Sequence, residues 1–262
     1  MDIAHALSGF LVGLLVGMTG VGGGSLMAPI LILIFGVAPT TAVGTDLWFA
    51  GITKIVGGSI HHSKRSADLR VVRWLATGSI PAAIATIIVL NAMHWSQVKQ
   101  GWLPIALGIV LILTAAATLA RPSLRRWVRK LRGQGAKKES VRRWQTPLTV
   151  VTGAALGVLV TLTSVGAGAL GATLLIFLYP VRLGAKEIVG TDIVHAIPLT
   201  LVAGMGHLLI GSVDGQLLGN LLIGSIPGII IGSLLVHRVS EKLVRIALSV
   251  VLVFTGIRLV AI

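Results

Sequence analysis

"AVGTDLW" at 42–48 and "IVGTDIV" at 188–194 place one tetrapeptide, Val-Gly-Thr-Asp, twice inside otherwise apolar sequence. The copies are 146 residues apart, and the same offset sets His61 on His207, Asp68 on Asp214, and "GSIP" at 78–81 on "GSIP" at 224–227. Over residues 43–81 this offset gives 15 identities in 39 positions. A two-residue shift upstream then aligns "GVGGGSL" at 20–26 with "SVGAGAL" at 164–170. The chain reads as a duplication, and repeats of this size mark transporters built from two halves.

The surrounding sequence is that of a membrane protein. Of 262 residues, 55% are hydrophobic and 11% charged, with a mean hydropathy of +0.95, far from a soluble domain. Segments nearly free of charge at 101–120, 188–210 and 216–236 each reach the roughly 20 residues that carry a helix across about 30 Å of hydrocarbon. The short alternating strands of a membrane barrel are missing. No cleavable leader is expected, because the first apolar segment has no basic lead. Without cysteine, disulfide and thiolate chemistry are excluded.

Each half is expected to hold five apolar elements: 5–19, 25–36, 40–60, 71–90 and 101–120 in the first, and 147–162, 169–179, 188–210, 216–236 and 243–261 in the second. The expected organisation is a first membrane repeat over 1–120, a basic linker over 121–146 and a second membrane repeat over 147–262. The second element of each half makes about 18 Å of helix, too short to span alone. A glycine-rich break precedes each.

The net charge of +14 comes from basic residues confined to short segments between apolar spans, which fits the positive-inside bias better than a nucleic-acid surface. Residues 121–145 carry ten Lys or Arg against Glu139 alone, so this linker is expected in the cytoplasm, beside anionic lipid heads. If the first two elements of each half form a hairpin that enters and leaves on one side, the halves are inverted, with 19 basic residues inside and only Lys99 and Arg258 outside. If each pair is one broken crossing, the halves are parallel and the split is 15 against 6. The charge bias selects the inverted arrangement. The fold expected is thus an all-α integral membrane protein of two inverted repeats, each a glycine-broken short hairpin plus three spanning helices.

In that arrangement the two glycine-rich tips enter from opposite faces and end deep in the bilayer, where irregular backbone is tolerated only in protein or beside a polar cavity. Gly20, Gly22, Gly23 and Gly24 in the first half, and Gly166 and Gly168 in the second, precede short helices expected to start at Ser25 and Ala169. Free N–H groups and a positive dipole end there suit an anion, with Ser164 in the second tip. The plainer reading is that the glycines let helices pack closely.

Asp46 and Asp192 lie some two turns inside apolar sequence. A carboxylate there costs about 2.5–3.5 kcal/mol, so it needs a partner, water or a proton. Three roles are open: proton carrier, coupling-ion ligand, or anchor and cap for the nearby tip. Lys54, whose repeat counterpart is Thr200, either attracts an anionic substrate, pairs with Asp46 or Asp192, or stretches to the interface. His195 shares a helix face with Asp192 and is a candidate in proton coupling, whereas His61 and His207 are expected at interfaces. Asp68 and Asp214 are expected to cap the helices that follow, and Pro81 and Pro227 to kink theirs.

"GLLVGMTGVGGGSLMAPIL" at 13–31, "AVGTD" at 42–46, "TSVGAGALGATLL" at 163–175 and "IVGTD" at 188–192 together resemble the TauE/SafE sulfite exporter family over nearly the whole chain. The resemblance implies a bacterial or archaeal plasma-membrane permease for sulfite, sulfoacetate or related sulfur-containing anions, usually an exporter, in some members an uptake system. The family's glycine motif falls on Gly20, Gly22, Gly23 and Gly24, and departs in the second half, where Ala167 replaces the counterpart of Gly23.

The expected function is secondary transport of a small anion by alternating access around a midplane site, coupled to protons. Substrate contacts are expected from Gly22, Gly23, Gly24, Ser25, Lys54, Ser164, Gly166 and Gly168, and proton coupling from Asp46, Asp192 and His195. Neither cofactor nor metal is expected. An anion channel is the nearer alternative. An intramembrane hydrolase using Ser164 with His195 or His207 is remote, because no G-x-S-x-G elbow is present.

Overall fold

The computed structural model describes residues 2–19, 26–60, 67–93, 102–133, 138–180, 182–235 and 240–261, and all regular structure among them is helical. In chain order the helices are α1 (Ile3–Thr19), α2 (Met27–Leu33), α3 (Pro39–Ile60), α4 (Leu69–Ala92) and α5 (Trp102–Gly133). Then come α6 (Lys138–Thr163), α7 (Ala169–Leu178), α8 (Ala185–Leu209), α9 (Gly215–Leu235) and α10 (Glu241–Val260). Local chemistry sets several boundaries. Pro39 opens α3, where its missing N–H is harmless. Asp68 caps α4 by accepting from the N–H groups of Arg70 and Val71, and Asp214 caps α9 by accepting from that of Leu217.

Three boundaries differ from expectation. Helix α2 begins at Met27, not Ser25, and is only 7 residues long. Most of the basic stretch 121–146 is helix, because α5 runs on to Gly133 and α6 starts at Lys138. Six stretches among the described residues are long and apolar enough to cross a membrane: Leu69–Ala92, Trp102–Trp127, Trp144–Thr163, Ala185–Leu209, Gly215–Leu235 and Lys242–Val260. Thus α6 joins this set and α3 does not, since the Asp46, Lys54 and threonine side chains of α3 lower its hydropathy.

Packing follows the duplication. Helix α1 lies on α9 and α6 on α4, while α3 meets its counterpart α8 and α5 meets α10. In the α1–α9 pair the backbones touch, and a Cβ added at Gly13 would strike the Ser225 carbonyl. Counterpart helices α3 and α8 run antiparallel. Gly44 abuts the Ser212 carbonyl, Trp48 Nε1 donates to Gly204 O at 2.9 Å, and Gly51 faces Thr200 and Leu201.

Helices α6 and α7 double back on each other. Gln145 Nε2 donates to Leu178 O at 2.9 Å and Thr149 Oγ1 meets the Tyr179 hydroxyl at 2.7 Å, so the end of α7 returns to the start of α6. Two more contacts tie loops together: Arg182 pairs with Asp68 at 2.5 Å, and Asp68 N–H donates to Thr191 Oγ1 at 2.9 Å. Phe49, Leu47, Leu103, Leu107 and Leu199 are fully buried between the halves. Leu113, Leu234, Val250 and Phe254 stand exposed on spanning helices, the surface that lipid covers.

Candidate functional site

Three residues of the repeated tetrapeptide have separate tasks. Gly44 has no side chain because the Ser212 carbonyl occupies the space a Cβ would take. Thr45 Oγ1 accepts the N–H of Asp214 at 3.1 Å, as Thr191 accepts that of Asp68, so each copy holds the first turn of a helix in the other half. Asp46 and Asp192 turn instead to the short helix of their own half. Asp46 Oδ2 accepts the N–H of Ala28 in α2 at 3.3 Å. The Asp192 carboxylate lies near the Gly168 backbone and against Gly171, where no Cβ would fit. Asp46 thus makes a contact of the capping kind, one of the three open roles, and Asp192 sits by the positive end of α7.

The tip between α6 and α7 is shaped by backbone that L-residues seldom adopt. Ser164 has φ of 57°, Gly166 of 115° and Gly168 of 138°. Ser164 N–H donates to Val160 O at 2.7 Å, and Thr163 Oγ1 accepts from Val165 N–H at 3.2 Å, so the turn is fixed. Ser164 is the side chain that approaches the Asp46 carboxylate. Yet among the described residues Ser164 Oγ and Asp46 Oδ1 are both buried without a hydrogen bond.

Lys54 is buried on the same helix as Asp46 and feels both Asp46 and Asp192, but forms an ion pair with neither. Arg121 of α5 completes the cluster. Its Nη2 donates to the carbonyls of Gly168 at 2.9 Å and Ala169 at 2.7 Å, its Nε to Thr173 Oγ1 at 3.2 Å, and its charge acts on Asp192. Two carboxylates and two cations from α3, α5 and α8 therefore surround one hairpin tip. Such groups inside a bilayer are costly, and they mark a polar pathway by default.

Of the sequence candidates, Lys54, Asp46, Asp192, Ser164, Gly166 and Gly168 come together here. Gly22, Gly23, Gly24 and Ser25, with Gly20 and His61, lie outside the described residues. His195 departs from Asp192 despite sharing its helix face: its ring Nε2 meets Ser79 Oγ of α4 at 2.8 Å. His207, expected at an interface, is fully buried, with Nε2 on the Thr161 carbonyl at 2.9 Å. Arg121 is the residue that sequence reading overlooked. By composition it belongs with the basic linker, although it follows the apolar run of α5 directly and precedes Pro122, which hints at a place inside the bundle. No group of three or more metal-binding side chains is found among the described residues.

Comparison with known proteins is now informative. The family model described as "Sulfite exporter TauE/SafE" matches residues 5–259. The chain is 40% identical over 263 residues to the "Probable membrane transporter protein YjnA" of Bacillus subtilis (strain 168), covering 99% of this chain and 100% of that one. It is 26% identical over 217 residues to the "Probable membrane transporter protein YdhB" of the same organism, covering 80% of each. No solved structure matches.

Proposed function

Because the chain belongs to the sulfite exporter TauE/SafE family of membrane transporters and is not an enzyme, we propose that it is a secondary transporter exporting sulfite, sulfoacetate or a related small sulfur-containing anion, coupled to protons. The site is the cluster of Asp46, Lys54, Ser164, Gly166, Gly168 and Asp192, and the halves rock about it. The observation that carries this reading is the buried ammonium of Lys54, set between two carboxylates yet paired with neither, beside the unsatisfied hydroxyl of Ser164.

The two halves are inverted in the bilayer. The antiparallel course of counterpart helices α3 and α8 and the α6–α7 hairpin, whose end returns to its start, support this arrangement. The Asp68–Arg182 pair sets the turn before α4 and the turn before α8 on one face, and the Thr45–Asp214 contact sets the start of α3 and the start of α9 on the other. By the positive-inside rule the Arg182 face and the linker 121–146 are cytoplasmic, and the membrane is the plasma membrane of the cell. Near-complete burial of Asp46, Lys54, Ser164 and Asp192 favours alternating access over an open pore.

Proteoliposomes test this. Sulfite flux that follows an imposed pH gradient and saturates with sulfite supports the reading. Ohmic anion current in a planar bilayer would replace it with a channel.

A further inference from the structure

Among the described residues the two aspartates, equivalent by duplication, differ in their surroundings. Asp192 lies near the Gly168 backbone, and Arg121 and Lys54 both act on it. Asp46 has one 3.3 Å bond from Ala28, no arginine beside it, and Oδ1 without a partner among the described residues. Its repeat differs too, because Lys54 stands one face along from Asp46 where the second half has Thr200. The centre is therefore lopsided, with Asp192 matched to Arg121 and Asp46 matched to Lys54.

Charge balance decides what this can do. With both carboxylates ionised the cluster is neutral, and an incoming anion would add an uncompensated buried charge, a penalty of several kcal/mol. A proton on Asp46 removes that obstacle and leaves Lys54 as the unmatched cation. Ser164 serves both events, since a hydroxyl accepts one hydrogen bond from a protonated carboxyl and donates another to an oxyanion.

We propose that Asp46 is the one proton acceptor of the transport cycle and that its protonation creates the substrate site, with Lys54 and Ser164 then holding a monovalent oxyanion, one proton per anion. Asp192 is a fixed ligand of the α7 tip beside Arg121, and His195 is outside the relay because Ser79 holds it. Among the described residues the groups that act on Asp46 are Lys54 from α3 and Ser164 from the α6–α7 tip; Lys54 also acts on Asp192 of α8, which Arg121 of α5 meets in turn, while His195 of α8 turns to Ser79 of α4. This rests on the reading of the chain as an anion transporter.

The test uses methanesulfonate, a monovalent oxyanion with no proton of its own to exchange near neutral pH, and the full chain in detergent micelles. Calorimetry across a pH series, in two buffers of different ionisation enthalpy, gives affinity and protons taken up. For the wild-type protein Kd rises about tenfold per pH unit on the alkaline limb, with one proton bound per anion. Asp46→Asn binds methanesulfonate with no pH dependence, whereas Asp192→Asn keeps the wild-type slope. Lys54→Gln, monodisperse on size exclusion, loses binding at every pH.

A wild-type Kd without pH dependence overturns the inference, as does a slope that survives Asp46→Asn. Should Asp46→Asn not fold, the wild-type slope and its persistence in Asp192→Asn decide the matter. Both of these outcomes leave the transporter reading standing. A protein that moves neither sulfite, sulfoacetate nor methanesulfonate in proteoliposomes overturns the transporter reading itself, and this inference with it.

Discussion

Thr45 Oγ1 accepts the backbone N–H of Asp214 at 3.1 Å, and the duplicate threonine repeats the contact on Asp68. Removing either hydroxyl leaves a partly buried N–H at a helix start without its partner, while a valine keeps the shape. Thr45→Val and Thr191→Val should each lower stability by about 1 kcal/mol, with similar size in the two halves. Thermal unfolding in detergent checks this, and markedly unequal losses would argue that the two contacts are not equivalent.

Arg121→Lys should behave unlike a conservative change. The guanidinium reaches two carbonyls and a hydroxyl at once, a fork that an ammonium on a flexible stem does not reproduce. Loss of these charged hydrogen bonds is expected to destabilise the protein by roughly 1.5–3 kcal/mol, and to slow sulfite flux because the α7 tip loosens. Unfolding midpoints and initial flux rates, compared with Arg125→Lys on the next turn of α5, provide the check.

Asp68 carries two interactions of different worth. Arg182 is exposed, so Arg182→Gln should change stability by less than about 1 kcal/mol, and less still in high salt. Asp68→Ala also removes the cap of α4 and should cost about 1 kcal/mol more. The difference between these two variants, measured at two ionic strengths, separates the cap from the ion pair.

Single cysteines test the topology without background, because the chain has none. Ala38 before α3 and Gln216 in the first turn of α9 are exposed at one face, and Ala185 at the start of α8 is exposed at the other. Cysteines at 38 and 216 should react with an impermeant maleimide in intact cells, and cysteine at 185 only after permeabilisation. Ser212, in the turn before α9, is buried and would report poorly.

Much of this arrangement is legible in the sequence, and the parts that are not have physical reasons. The spans appear as runs without charge, since hydrocarbon tolerates little else, and the duplication is visible in a tetrapeptide whose threonines, Thr45 and Thr191, make the same contact in the two halves. Caps such as Asp68 are local, so their reach of two or three residues is readable. Partners across the bundle are not. His195 lies on the face of Asp192 by periodicity, yet the approach of α4 gives it Ser79, which no spacing rule predicts. Arg121 resembles its linker neighbours in composition, and only the fold of α7 back along α6 brings the carbonyls of Gly168 and Ala169 within its reach.

The Trp48 indole N–H rests on the Gly204 carbonyl where the two central helices cross, and its ring fills the space beside that glycine. The chain thus carries its own fluorescent gauge on the line where the two halves meet. With the other five tryptophans changed to phenylalanine, any stroke that parts these helices must release that indole, and its emission should shift in step with each turnover.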